Sequence, residues 1–202
     1  FYDLSVDVQG CHDLQQSLDK YTETELLDGD NMYDAEGHGK QPAEKGCKFL
    51  TLPPVLHIQL KRWVYDPRLD RSVKLNDKFV FPMTLDLERY LDADAPRQEP
   101  AIYELHAVLI HSGSAGGGHY YVFMRPTRKS EWFQFNDERV VPCRATDAMK
   151  EGFGGTEYTY NLNGRAWRSY TKPDTSAYML VYIRKSDISS VLFHLHSRDI
   201  PY

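Results

Sequence analysis

The stretch from Tyr103 to Tyr121 constrains the fold of this chain more than any other. Tyr103, Leu105, Ala107 and Leu109 recur at every second position, which predicts one face of a strand ending at His111. A Gly/Ser-rich loop over 112–118 follows, and a second strand begins at His119. The same period-two pattern recurs elsewhere. Tyr2, Leu4, Val6 and Val8 alternate with Phe1, Asp3, Ser5 and Asp7, and Leu56, Ile58 and Leu60 alternate with His57, Gln59 and Lys61. Short strands are also expected over Trp132–Phe135 and Tyr178–Arg184. A chain so patterned folds around antiparallel strands.

Helical signals are few. Leu14, Leu18 and Tyr21 give an amphipathic helix over 12–21, and Ile188, Val191, Leu192 and Leu195 suggest another over 186–196. Leu85–Leu91 reads as a short helix and Val73–Phe81 as extended chain. Residues 28–46, 66–72 and 92–100 read as turns and exposed loops, while the polar stretch 149–175 resists assignment. With 202 residues, 41% of them hydrophobic, the chain can bury a core, and no internal repeat divides it. The expectation is α+β, with residues 1–185 as one unit and a trailing helix over 186–202 leading toward a further domain.

Charge and cysteine usage narrow the function. The net charge is −5 and no basic block occurs, so no nucleic acid is expected as a partner. No apolar run reaches the roughly 18–20 residues of a membrane span, and Phe1–Val8 lacks the features of a signal peptide. The absence of an initiating Met suggests a polypeptide that begins earlier. Cys11, Cys47 and Cys143 are odd in number and scattered, so no disulfide framework is implied and a reducing compartment, nucleus and cytoplasm, is expected. No CxxC occurs, so neither a zinc site nor another cofactor is anticipated.

The residues that could carry chemistry cluster after Gly116. Glycines before His119 let the backbone bend sharply and approach a ligand closely. Histidine titrates near neutrality, which suits proton transfer. Asn136-Asp137, at the end of the next strand, could orient such a histidine through its second ring nitrogen, as in Cys-His-Asn triads. On local sequence alone a plain glycine-rich hairpin is the favoured reading of His119, while Asn136-Asp137 fits an ordinary turn as well as an orienting pair, so the alternatives stay open on these residues alone. A metal held by His106, His111 and His119 is disfavoured, because an odd separation puts His106 and His111 on opposite strand faces.

Taken in order, the segments 52–63 (LPPVLHIQLKRW), 103–113 (YELHAVLIHSG), 117–123 (GGHYYVF), 132–140 (WFQFNDERV) and 177–184 (AYMLVYIR) resemble the C-terminal histidine region of the ubiquitin-specific protease family. Segments 27–35 and 44–54 look like its herpesvirus-associated branch. The resemblance implies a papain-like cysteine peptidase hand of thumb, palm and fingers, of which this chain would supply fingers and palm. It implies a deubiquitinase acting after the terminal Gly-Gly of ubiquitin, with ubiquitin and ubiquitinated proteins as partners. His119 would be the catalytic base, Asn136 its orienting partner, and Asp137 a residue that could share that role. His111, Tyr120, Trp63, Gly117, Gly118 and Tyr178 would border the channel for the ubiquitin tail. Nothing in the chain matches the family's cysteine box, so the thumb with its nucleophile is expected on a preceding segment. As the chain stands, a ubiquitin-binding or scaffold module without catalysis is the alternative.

Overall fold

The alternating stretches become one large mixed sheet. The computed structural model describes residues 3–129, 131–155, 158–160, 166–168 and 174–193. In chain order these form β1 (Leu4–Asp7), α1 (Leu14–Tyr21), β2 (Glu25–Leu27), β3 (Tyr33–Ala35), β4 (Gly39–Gln41), β5 (Ala43–Lys45), β6 (Val55–Lys61), β7 (Trp63–Asp66), β8 (Arg71–Lys74) and β9 (Thr84–Asp86). They continue with β10 (Ile102–Ser114), β11 (Gly117–Met124), β12 (Trp132–Asn136), β13 (Arg139–Cys143), α2 (Ala145–Phe153), β14 (Tyr158–Tyr160), β15 (Ala166–Arg168), β16 (Thr175–Arg184) and α3 (Ile188–Val191). The sheet runs β1-β6-β16-β10-β11-β12-β13, with β9 paired to the first residues of β10. Every pairing in it is antiparallel except β1 with β6. The fold is α+β, and no described helix is long and apolar enough to cross a membrane.

The core lies between this sheet and a layer made of α1, α2 and the extended chain around Phe79 and Phe81. In β6, Leu56, Ile58 and Leu60 are buried and their neighbours are not, as alternation requires. The Asp13 side chain caps α1 by accepting from the Gln16 N–H at 2.8 Å, and Leu14 and Leu18 are fully buried. Tyr21 is half-exposed and stacks on Phe49. Helix α2 fits closely because it is small where it touches: a Cβ on Gly152 would lie 2.8 Å from Phe81 and 2.9 Å from Val108.

Several expectations change. Along β10, pairing with β16 skips His106: Leu105 faces Tyr182 while Ala107 faces Val181. This bulge shifts the phase. The fully buried series is Tyr103, Leu105, Val108 and Ile110, and Leu109 is only half-buried. Across the same bulge, an odd separation no longer puts His106 and His111 on opposite faces. Among the described residues no group of three or more His, Cys, Asp and Glu could hold a metal ion. Residues 85–91 are not a helix. Leu85 lies in β9, paired to Tyr103, and only Glu88–Tyr90 makes a 3₁₀ turn. Residues 28–46 carry most of two exposed hairpins, β2–β5 and β3–β4, and 66–72 carry the turn of a third, β7–β8. The trailing helix is short, with a 3₁₀ turn over Lys185–Asp187 before α3, and residues from 194 onward lie outside the described set.

Candidate active site at the glycine-rich hairpin

The glycines of 112–118 do not make an open loop. β10 and β11 pair up to Ser114 and Gly117, leaving a two-residue turn at Ala115 and Gly116. Two glycines permit this compression. Gly113 has φ +134°, and a Cβ there would lie 2.6 Å from the Gly117 carbonyl. A Cβ on Gly118 would lie 2.4 Å from His111 Nε2 and 2.5 Å from the Ser112 carbonyl. His119 is thereby registered opposite Ser112, near the turn end of the hairpin, with about half of its side chain exposed (47%).

The partner comes from the neighbouring strand. The β11–β12 ladder ends at Val122 opposite Phe135, and Asn136 is the next residue along β12. Its Oδ1 lies 2.6 Å from His119 Nε2. Asn136 pairs with Arg139 across a tight turn, where Asp137 adopts φ +51°, a conformation Asp tolerates. Asp137 Oδ2 stands 3.8 Å from the same nitrogen. An amide oxygen accepts, so Nε2 carries the proton and Nδ1 keeps its lone pair. The Tyr121 ring lies nearly parallel to the imidazole at 5.9 Å, and its hydroxyl donates to Glu151 of α2. The arrangement can take a proton at Nδ1 while Asn136 holds the ring.

The other sequence-chosen residues form an aromatic wall. His111 is buried, with its ring 5.3 Å from Trp63 and 4.6 Å from Tyr120. Burial, and then the charge of Lys74, push its pKa below the usual histidine range. Tyr178 stands 5.2 Å from Tyr120 and 6.2 Å from Trp63. It is the extra residue of a second bulge, where Leu109 faces Met179 but Ile110 faces Ala177. That bulge leaves Tyr178 half-buried against the wall rather than within the core. Gly118 adjoins the wall at His111, and Gly117 precedes it, paired with Ser114.

Two basic residues escaped the sequence reading. Arg62 is fully buried and donates to four main-chain carbonyls: Ala177 (2.8 Å), Leu75 (3.1 Å), Asp77 (2.8 Å) and Phe153 (3.4 Å). Its signal was parity, since it continues the inward series 56, 58, 60. Lys74 donates to the carbonyls of His111, Gly113 and Asp174, and no local pattern announces it.

No described cysteine reaches His119. β1, just before Cys11, lies four strand spacings from β11, about 19 Å at ~4.8 Å each. Cys143 pairs with Trp132, at the opposite end of β12 from Asn136, and burial raises its thiol pKa. Cys47 is exposed on the chain leaving β5.

The family described as ubiquitin carboxyl-terminal hydrolase matches residues 9–182. Ubiquitin C-terminal hydrolase 12 of Arabidopsis thaliana is 48% identical over 99% of this chain. Ubiquitin carboxyl-terminal hydrolase 15 of Schizosaccharomyces pombe is 40% identical over 100% of it. The chain spans 18% of the length of each of these relatives. Among solved structures, a chain of the SAGA DUB module bound to monoubiquitin superposes with a TM-score of 0.68 at 28% identity, over 91% of this chain and 35% of that one. The fold is accordingly that of a ubiquitin-specific protease catalytic domain, papain-like and rich in β-structure.

Proposed function

The chain belongs to the ubiquitin carboxyl-terminal hydrolase family, and from that premise we propose that it is the histidine-bearing part of a thiol-dependent deubiquitinase. The observation that carries this reading is the 2.6 Å contact between His119 Nε2 and Asn136 Oδ1 beside the glycine hairpin. In the reaction, Nδ1 of His119 accepts the proton of a cysteine thiol. The thiolate attacks the carbonyl of ubiquitin's terminal glycine, and His119 then protonates the departing lysine amine. Water, deprotonated by the same nitrogen, releases ubiquitin from the thioester. Asn136 keeps the ring in the productive tautomer, with Asp137 as an electrostatic support. The wall of His111, Tyr120, Trp63 and Tyr178, edged by Gly117 and Gly118, borders the groove for a side-chain-free Gly-Gly tail.

On this reading residues 1–185 are the fingers and palm, and the nucleophile sits in a thumb segment outside these 202 residues. Segments 27–35 and 44–54 support the herpesvirus-associated branch. The want of a described thiol near His119 favours one competing reading, a ubiquitin-binding scaffold without catalysis. A single experiment separates the two. In the complete polypeptide, hydrolysis of a ubiquitin–fluorophore conjugate should fall by roughly 10²–10⁴-fold in His119→Ala. Undiminished turnover in that variant, or none in the parent, would refute the enzymatic reading.

A further inference from the structure

His119 is placed by its strand, and its strand is placed by what holds the end of β10. His111 and Gly113 flank Ser112, the residue registered against His119. Lys74 Nζ, reaching in from β8, lies 2.9 Å from the His111 carbonyl and 3.2 Å from that of Gly113. It also lies 2.6 Å from the carbonyl of Asp174, which accepts from the Gly113 N–H at 2.9 Å as well. Ser112 is tied to the same place through a 2.7 Å hydroxyl contact with Thr175. One ammonium therefore joins β8, the end of β10 and the entrance of β16, where Gly113 is compressed against Gly117.

We infer that Lys74 is a positioning residue for His119: by gripping the carbonyls on both sides of Ser112, it fixes the strand segment against which the histidine is registered. This rests on the reading of His119 as general base. A surface lysine would not need three carbonyls, whereas an ammonium has three donors and can satisfy all of them. Burial, with the nearby charge of Arg62 and against that of Asp174, brings the amine down to about 8. The charged and titratable groups around it are Arg62 beneath, Asp174 before β16, His111 on β10 and Arg71 on its own strand. Near the top of the physiological pH range the clip begins to lose its proton.

The test uses the complete polypeptide and a ubiquitin–coumarin conjugate, with rates normalised to active sites titrated by a thiol-reactive ubiquitin probe. Lys74→Met should lower kcat about tenfold with KM held within about twofold, because the geometry of the base is loosened and the ubiquitin surface is not. Lys74→Arg, which keeps a cation and more donors, should recover most of that kcat. Its alkaline decline should also begin at higher pH than the parent's, a change that mere loss of folded protein cannot produce. If Lys74→Met does not fold, Lys74→Gln is held to the same criteria. Parental kcat in the uncharged variant, a loss confined to KM, or an unmoved alkaline limb in Lys74→Arg overturns the positioning role. With His119→Ala inactive, any of these results sinks the Lys74 inference alone. An active His119→Ala sinks the general-base reading and this one with it.

Discussion

Arg62 shows how one side chain can set the geometry of several segments. Its guanidinium lies at the junction of β6, β16, the Leu75–Asp77 chain and the end of α2, and each contact is to a carbonyl rather than a carboxylate. Burial brings its pKa down to about 10, so the group remains charged at neutral pH. The planar fork matters, because four acceptors on three segments cannot all be reached from a single ammonium. Arg62→Met and Arg62→Lys should each lower the unfolding free energy by about 2–4 kcal/mol. Denaturant titration would register this as a lower midpoint with unchanged slope. The residue was legible in principle, since positions 56, 58, 60 and 62 share a face. A Lys-Arg pair looks like solvated surface, and only the converging carbonyls mark it otherwise.

At the scale of elements, the bulge in β10 leaves a half-buried histidine as a pH liability. Burial, and then the charge of Arg125, bring the pKa of His106 to about 4 from 6.5. The folded state keeps it neutral between those values while the unfolded chain takes a proton. Stability is therefore intact above about pH 6.5, declines as the pH falls toward 4, and levels off below. His111, also depressed, acts in the same sense. The group is partly exposed, so the loss is about 1–2 kcal/mol rather than the larger figure for a dry site. Chemical denaturation at pH 7, 5.5 and 4.5 should show this slope in the parent and a shallower one in His106→Gln. The strands were readable wherever each buried residue sat two positions from the last, as in β6. The bulge at His106 was not, because an extra residue leaves no mark in the alternation. Helix α2 was missed for a different reason. Its fully buried residues are Ala148 and Gly152, so the stripe at 145, 148, 149, 152 and 153 is made mostly of small residues and is weakened by an interior glycine. The site itself was legible as residue types, His119 with Asn136. The tight ladder of the hairpin was not, since a run of Gly and Ser carries no alternation to set its register, and the Lys74 contacts were not, since their partners lie 37, 39 and 100 residues away.

For the molecule as a whole, the sheet order separates the cysteines from His119. Cys11 lies beyond β1 on one edge of the sheet, Cys143 at the far end of the opposite edge strand, and Cys47 outside the sheet. In the complete polypeptide, a ubiquitin probe with a thiol-reactive warhead should leave Cys11, Cys47 and Cys143 unmodified. Peptide mass spectrometry finding the adduct on any of them would contradict the arrangement proposed for the active site. The same order also bears on biosynthesis. β16, the last strand of the sheet, fits between β6 and β10, with antiparallel partners on both sides. A ribosome therefore releases two half-sheets before it releases the strand that joins them. Until then each half carries an open, apolar edge at its middle, the kind of surface that pairs with other chains. Translation that stalls before Thr175 yields a chain with most of its strands and no continuous sheet, so this fold is completed at its centre, late, and all at once.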